Sequence, residues 1–503
     1  MKYIISIILL LSIIYPKRDY DISNSHCLDD NRSCAQRPNL DYHTLSPSGH
    51  FMIHYNHYYD GIDNYANEVA LSADSSRKMI VDIMNFRSEI SDEDGIYDIY
   101  IKELPNGSYG WNCPSNDVGS SWIEIDDNYI GSNYSTSGED AMRISVAHEF
   151  FHAIQRAYIS TPGSNSFFYE LSSMWIEDII YPDINDYITF SEFGDDYFSN
   201  PDRNMNEYNG YGLGLYPHYM NFIFDNQIMQ RIWEQLSIDL DVFNAIDNIL
   251  NDNQHNYNSS FTETWLDFNT RNLFNGLFSD MNNEIYYYED QSLFNPIHTS
   301  PLDINQYLES SADEWEIFEY QTSVNNRSVK IRSFQPSQDN TQEFLFNVDQ
   351  NNAHSSFSLI SGTDGYTTVL SNTTNLNYIL DDNDIFHFIY ISNDASGNVN
   401  TVIQKRDKQS SYSVDYYPNP INIGQNLTLK FSSVIEIKDF KVDILNFRGQ
   451  LIEKFDFGSF AYNGQDFNEI SFSPFNSIVS SGVYFLKIYL DDYIISEKII
   501  YLK

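Results

Sequence analysis

The sequence has few cysteines and few basic residues, and each shortage excludes a class of protein. Three cysteines in 503 residues cannot build a disulfide scaffold. Cys27 and Cys34 are close enough in sequence to close a small loop that leaves Cys113 unpaired, although a pairing that involves Cys113 stays open. Only 28 lysines and arginines stand against 71 acidic residues, for a formal net charge of -43. This balance excludes nucleic acid as the main partner, because phosphate binding requires a positive surface.

Long hydrophobic runs are missing beyond the N-terminus. The apolar run over residues 4–14, which follows Lys2, is shorter than the roughly 20 residues that span a bilayer. A basic residue followed by such a run is typical of an export signal. We therefore predict a signal peptide over residues 1–20 and a mature protein without a membrane span.

The hydrophobic pattern divides the rest of the chain into three domains. Strand-like segments at 50–55, 96–101 and 122–125 surround one helical segment at 64–86, and helical spacing prevails from about 139 to 290. A polar stretch with two prolines, residues 292–303, is the expected linker, and many short strand-like runs separated by turn residues follow it. We predict a multidomain protein with an α+β domain, a β-sandwich accessory domain and a small all-β C-terminal domain, over residues 40–291, 304–407 and 412–503.

The segment Ala147-His148-Glu149-Phe150-Phe151-His152 contains the pattern H-E-x-x-H. Histidines four residues apart lie on one face of a helix, so both imidazoles can bind one Zn²⁺ ion. Glu149 lies beside them and is the expected general base for a water that the metal activates. The capping-box spacing of residues 136–139 predicts that the helix begins there.

A third protein ligand is expected in the next helical segment, residues 169–178. Glu170 and Glu177 lie on the same face of this predicted helix as Ser173 and Met174. Three protein ligands would leave one position of a tetrahedral zinc ion for water. The spacing favours Glu170, and Glu177 remains the competing ligand.

These two segments, HEFFHAIQ and FYELSSMWIED, resemble the gluzincin metallopeptidases. Together with SPSGHFMIHY, YDIYIKEL and WIEIDD, they resemble a family of secreted bacterial zinc metalloproteases over roughly residues 45–290. The resemblance implies a zincin-like domain, Glu170 as the third ligand, and Glu177 as a carboxylate that steadies a ligating histidine. Leu171 stands where many gluzincins have glycine.

Gluzincins often use a tyrosine or histidine to stabilise the oxyanion, and the resemblance implies such a residue here. Tyr208 and Tyr211 in NEYNGYGLGLYPHY are the first candidates, with Tyr211 taken as the catalytic one. His218 has the same status. A packing role is the alternative for all three.

The last 90 residues, approximately, resemble the C-terminal sorting domain of type IX secretion. The matching pieces are the Pro418-Asn419-Pro420 motif, the turn at residues 446–449, the Ser481-Gly482-Val483-Tyr484 motif and the terminal Lys503. This resemblance implies export through the periplasm, the type IX machinery as a partner, and a secreted or cell-surface location.

The sequence therefore predicts a secreted zinc endopeptidase that hydrolyses protein or peptide substrates. The first alternative is a non-catalytic surface or adhesion protein in which the β-sandwich binds a target. The second is a zinc hydrolase that acts on a bond other than a peptide.

Overall fold

A computed structural model shows several packed units, and it describes most but not all of the chain. The predicted signal peptide lies outside the described residues, which are 26–27, 34, 36–91, 94–115, 118–131, 134–192, 197–252, 254–279, 287–302, 316–335, 342–349, 354–361, 365–369, 375–380, 384–392, 396–407, 412–433, 437–446, 449–460, 468–475, 479–490 and 493–503.

The first unit contains a six-stranded mixed sheet in the order β1-β5-β6-β4-β3-β2. Strand β5 is antiparallel to β6 and carries the short β1 on its other edge in parallel register. The central strands β3, β4 and β6 run parallel to one another. The strands are β1 (His26–Cys27), β2 (Tyr42–Leu45), β3 (Phe51–Tyr55), β4 (Tyr97–Ile101), β5 (Gly110–Pro114) and β6 (Ser121–Ile125).

In the described part of the chain, eight α-helices pack on or beyond this sheet. Helix α2 contacts both β5 and β6 on one side and α3 on the other. The predicted helix at 64–86 begins slightly earlier, and its last part, Lys78–Ile83, is a π-helical turn. The helices are α1 (Ile62–Arg77), α2 (Gly138–Arg156), α3 (Ser166–Ile180), α4 (Asp186–Glu192), α5 (Leu215–Ile223), α6 (Ile228–Asp239), α7 (Val242–Leu250) and α8 (Phe261–Arg271).

The second unit is a β-sandwich that packs against α8. Its sheets have the orders β13-β10-β15-β8 and β12-β11-β14-β9-β7. Val329, Ile331, Ile389 and Ile391 belong to the same hydrophobic core as the helices. The strands are β7 (Ser300–Pro301), β8 (Glu316–Val324), β9 (Val329–Phe334), β10 (Gln342–Asp349), β11 (His354–Ser361), β12 (Gly365–Val369), β13 (Asn375–Leu380), β14 (Asp384–Ile391) and β15 (Gly397–Asp407).

The stretch with two prolines before the sandwich packs onto the protein. Phe294 and Ile297 are buried, and β7 pairs with β9 in parallel register. A polar composition suggested a linker, but two apolar side chains and one strand pairing hold the described part of this stretch in place.

The C-terminal unit is a second sandwich, of a three-stranded and a five-stranded sheet, in the orders β16-β18-β21 and β17-β23-β22-β19-β20. Its core is aliphatic and aromatic. The multidomain α and β organisation with an all-β end is thus confirmed. The strands are β16 (Tyr412–Tyr417), β17 (Ile421–Asn422), β18 (Leu427–Ser433), β19 (Ile437–Asn446), β20 (Leu451–Phe460), β21 (Asn468–Phe472), β22 (Gly482–Leu490) and β23 (Tyr493–Leu502).

One disulfide bond joins Cys34 to Cys113, with the Cα atoms 5.2 Å apart. This is the pairing with Cys113 that the sequence left open, and it excludes a bond between Cys27 and Cys34. Residues 27 and 34 are close in sequence, but the sheet brings β5 next to residue 34, where Cys34 and Cys113 pack with Leu40, Trp111 and Trp122.

Helix α2 begins where the sequence predicted, but the capping box does not form. Ser137 is the N-cap residue, and its side chain makes no capping hydrogen bond. The Thr136 hydroxyl instead donates to Asp186 at 2.6 Å. In the part of the chain that the structure describes, no helix combines the length and apolarity needed to cross a membrane.

Candidate metal centre

Helix α2 buries all three polar residues of its H-E-x-x-H segment. His148, Glu149 and His152 have no exposed surface. The helix lies between the sheet and α3, so every residue from 144 to 156 is buried, whichever face it occupies. Helical spacing directs both imidazoles toward α3, and their ring centroids are 4.7 Å apart.

Helix α3 presents Glu170 to both imidazoles. The Glu170 Oε2 atom lies 3.1 Å from Nε2 of His148 and 3.5 Å from Nε2 of His152. One ligand atom from each of these residues falls within 4.8 Å of the other two. Two nitrogens and one carboxylate oxygen at these separations form the donor set that zinc prefers.

The Nδ1 atom of each histidine, on the side of the ring away from Glu170, contacts a polar side chain. Nδ1 of His148 lies 2.5 Å from Oε1 of Glu177. Nδ1 of His152 lies 2.7 Å from Oε1 of Gln155 and 3.3 Å from the Ser173 hydroxyl. Acceptors at Nδ1 favour the tautomer that carries the proton there, which leaves the Nε2 lone pairs for a ligand.

The residues present fit a zinc ion. Within the described ranges, Nε2 of His152 is buried and has no hydrogen-bond partner. A buried polar nitrogen without a hydrogen bond is costly, and a metal ion in contact with it would remove that cost. The Glu177 carboxylate faces Nδ1 of His148 and lies behind the ring, so Glu170 is the carboxylate on the ligand side.

The Glu149 side chain lies against strand β5, where Gly110 leaves the space that it occupies. A Cβ atom on Gly110 would come within 2.6 Å of Cγ and 3.0 Å of Oε1 of Glu149. Asn112, two residues along β5, donates its side-chain amide to the Glu149 carbonyl at 3.0 Å. Burial raises the pKa of Glu149 to about 7, against the opposing effect of the two imidazoles. A carboxyl group with this pKa can take up and release a proton near neutral pH.

The two glutamates of α3 have opposite electrostatic environments. Burial alone would raise the pKa of Glu170, but His152 and His148 outweigh it and lower the pKa to about 2. Burial raises the pKa of Glu177 well above its usual range, and the nearby acids Asp186 and Glu149 raise it further. Glu170 is therefore the ionised carboxylate at the two Nε2 atoms, as metal binding requires.

The other candidate residues separate in space. The ring of Tyr211 stacks on His148 with centroids 6.2 Å apart. The Tyr208 hydroxyl donates to the backbone carbonyl of Asn200 and so holds its own loop together. His218 is buried behind α3, with Nε2 3.4 Å from Asp178 and its ring stacked on Tyr288. Among these three residues, Tyr211 is the one whose ring packs against a histidine of the site.

Sequence reasoning missed three residues that shape the site. Gly110 and Asn112 lie on β5, and Gln155 lies on α2. A glycine inside a strand marks a close approach of another group, which could have signalled Gly110. The spacing of Gln155 from His152 places it on the same face of the helix and could have signalled its role. Asn112 had no signal, because its partners come from a distant helix.

A family model for the secretion system C-terminal sorting domain matches residues 415–502. This range covers the C-terminal sandwich and contains each motif that suggested it apart from Lys503. The chain therefore ends in a type IX secretion sorting domain, and the protein is secreted or attached to the cell surface. The prediction of this location is confirmed. No curated protein matches the chain.

Some solved structures are similar to parts of the chain, all at low TM-scores. A periplasmic inhibitor of g-type lysozyme from Salmonella Typhimurium has 10% identity and a TM-score of 0.16, and covers 21% of this chain and 96% of its own. A β-glucuronidase from Bifidobacterium dentium has 8% identity and a TM-score of 0.14, and covers 38% of this chain and 48% of its own. These scores carry no argument about fold or function.

Proposed function

We propose that the protein is a secreted zinc-dependent endopeptidase. The observation that carries this proposal is the meeting of His148, His152 and Glu170 around one point, with one ligand atom of each within 4.8 Å of the others. Glu149 lies next to this point on the same helix.

The proposed residues have distinct tasks. His148, His152 and Glu170 would hold Zn²⁺, which when bound supplies a Lewis acid and makes a neighbouring water more acidic. Glu149 takes a proton from the attacking water and later returns it to the leaving amine, a role that its place beside the two histidines on α2 permits. Glu177 and Gln155 fix the orientation of the two imidazoles through Nδ1.

Peptide hydrolysis also needs a group that stabilises negative charge on the carbonyl oxygen. Tyr211 is proposed for this task because its ring packs against His148. Its removal would slow the reaction without loss of metal, since Tyr211 is not in the donor set.

The proposal is tested by metal analysis of the purified full-length protein together with hydrolysis of casein and a peptide library. The parent is expected to contain one zinc per chain and to cleave peptides. Glu170→Ala is expected to lose most of both properties, because it removes a ligand. The matched control is Glu139→Gln on the exposed start of α2, which is expected to keep both.

Each contrary outcome has its own meaning. A parent protein without bound metal after exposure to zinc would overturn the proposal and favour a non-catalytic surface protein. A zinc-loaded parent that cleaves no peptide would instead favour hydrolysis of another bond.

A further inference from the structure

The turn between β8 and β9, residues 325–328, is bonded to a loop of the first unit. The backbone N–H of Met205 donates to the Arg327 carbonyl at 3.0 Å, and the N–H of Val329 donates to the Pro201 carbonyl at 3.2 Å. These bonds join the backbones of the two units directly. Two backbone hydrogen bonds thus fix the position of segment 201–205 relative to the β8–β9 turn.

Side chains of the sandwich reinforce the same contact at Asp202. The Asn325 amide donates to the Asp202 carbonyl at 3.1 Å. The Lys330 ammonium lies 2.8 Å from the Asp202 carboxylate, and this bond lowers the pKa of Asp202. Asp202 therefore bonds to two side chains of the sandwich, one through its backbone carbonyl and one through its carboxylate.

The loop that receives these bonds is tied together by Tyr208. Its hydroxyl donates to the Asn200 carbonyl and accepts from the N–H of Arg203 at 3.3 Å. The Arg203 guanidinium lies 4.8 Å from the Tyr208 ring centroid. These contacts connect the start of the loop to its end, so we expect residues 199–211 to respond as one unit.

The end of this loop touches the candidate metal centre. Gly210 has a φ of 104°, and a Cβ atom there would come within 2.1 Å of the Phe167 carbonyl oxygen and 2.8 Å of Cβ of Glu170. The next residue, Tyr211, stacks on His148. The loop thus runs from the sandwich at one end to a ligand glutamate and a ligand histidine at the other.

A second route from the same turn reaches α3. The Arg327 guanidinium lies 3.8 Å from the Phe243 ring centroid, and the Phe243 ring stacks on Phe167 at 5.7 Å. Arg327 itself has a φ of 51°, in the left-handed region. Any β-branched residue at this position would strain the turn and disturb its backbone bonds.

We propose that the β8–β9 turn and the start of β9 position Tyr211 in the active site, with Asn325, Arg327 and Lys330 as the positioning residues. The β-sandwich is then a part of the catalytic apparatus and more than an accessory domain. The kinetic part of this inference rests on the proposed peptidase function, whereas the positioning of the loop can be measured without activity.

The first experiment compares the double variant Asn325→Ala/Lys330→Ala with the parent and with Ser323→Ala. Ser323 bonds to Asn398 within the sandwich at 2.9 Å and serves as the matched control. Hydrogen exchange of the full-length protein is expected to accelerate about tenfold in peptides from residues 203–213 of the double variant. The control is expected to match the parent. Unchanged exchange in 203–213 would overturn the proposal.

The second experiment measures peptide hydrolysis. The double variant is expected to lose about tenfold in kcat, with KM and zinc content within about twofold of the parent, because a displaced group weakens transition-state binding. In a Tyr211→Phe background the same double change is expected to have little further effect on kcat. An equal loss in both backgrounds would overturn the role of Tyr211.

Two substitutions at one residue separate backbone from side chain. Arg327→Val is expected to reproduce the double variant, because valine disfavours a positive φ. Arg327→Gly keeps that backbone and is expected to have a smaller effect. If glycine were as harmful as valine, the backbone route would be refuted. A parent without peptidase activity would refute the proposed function, and the exchange data would still decide whether the turn positions the loop.

Discussion

The α2–α3 helix pair buries many more ionisable side chains than the described part of the C-terminal sandwich does. The helix pair hides two histidines and several carboxylic acids, including Glu149, Glu170 and Glu177, almost completely from solvent. The hydrophobic core of the C-terminal sandwich is built from aliphatic and aromatic residues. Burial of ionisable groups opposes folding, whereas burial of apolar surface drives it. The helix pair therefore contains buried ionisable groups that folding alone does not favour and that the proposed metal site would require.

Among substitutions that test this difference between the two regions, we expect the largest effect, a loss of kcat, at Glu149. Glu149→Gln keeps the size of the side chain but removes its ability to take a proton. Peptidase kcat is expected to fall between about 10²- and 10⁴-fold, while zinc content stays at the parent level. Steady-state kinetics and metal analysis on the same preparation measure both. Hydrolysis at the parent rate would refute the mechanism.

A core substitution in the C-terminal sandwich is expected to have the reverse profile. Ile444 is fully buried in β19, so Ile444→Ala is expected to destabilise this domain by about 2–5 kcal/mol. Activity and metal content are expected to stay unchanged. Calorimetry of the full-length protein measures the transition. Leu451→Ala, at a half-exposed position on the neighbouring strand β20, is the control. A loss of zinc in Ile444→Ala would contradict the independence of the two regions.

Glu177 is expected to give the next effect, because it contacts Nδ1 of His148, a proposed metal ligand. Glu177→Ala is expected to weaken zinc affinity about 10- to 100-fold. Glu177→Gln is expected to weaken it less, since the amide oxygen still accepts from Nδ1 of His148. Competition with a chelator measures the affinities. If the alanine variant bound zinc as tightly as the parent, Glu177 would have no part in the site.

Gly110 is expected to give a smaller loss. In Gly110→Ala the new methyl group would displace the Glu149 side chain, because the available distance to Cγ is 2.6 Å. We expect about a tenfold fall in kcat, equivalent to about 1.4 kcal/mol, with unchanged zinc content. A parent-like kcat would show that Glu149 has room to move.

The last effect is of a different kind and concerns the pH dependence of stability in metal-free protein. Burial raises the pKa of Asp178 from 3.8 to about 7. Between these values the folded state binds more protons than the unfolded state, so stability falls as pH rises, by up to about 1.4 kcal/mol per pH unit. Asp178→Asn is expected to flatten urea-unfolding free energies measured from pH 4.5 to 7. The exposed Asp183→Asn should leave the slope unchanged.

The predictability of the site also differs within the helix pair. His148, Glu149 and His152 could be identified from sequence because one helix turn fixes their relation. Glu170 and Glu177 share a face of α3, so their different positions depend on how α3 packs against α2. Gln155 shares a helix face with His152, which its spacing indicates, but its contact with Nδ1 of His152 also depends on the Tyr169 carbonyl, which orients the Gln155 amide.

The fold shows the same division between local and distant information. Strands and helices were predicted to within a few residues where a hydrophobic period was clear. The disulfide bond could not be predicted, because Cys34 and Cys113 are far apart in sequence and only the sheet brings them together. The bonds between the β8–β9 turn and residues 201–205 join segments far apart in sequence, and no pattern in either segment points to the other.

The Cys34–Cys113 disulfide also depends on the compartment in which the chain is located. The cytoplasm keeps thiols reduced, and the periplasm oxidises them. A chain exported through the periplasm can therefore close this bond only after it has crossed the first membrane. Cys113 lies on β5, the same strand as Gly110, which leaves room for the Glu149 side chain. The disulfide bond of this strand therefore forms only after the chain has left the cytoplasm. We expect the strand beside Glu149 to reach its final covalent form outside the compartment where the protein is made.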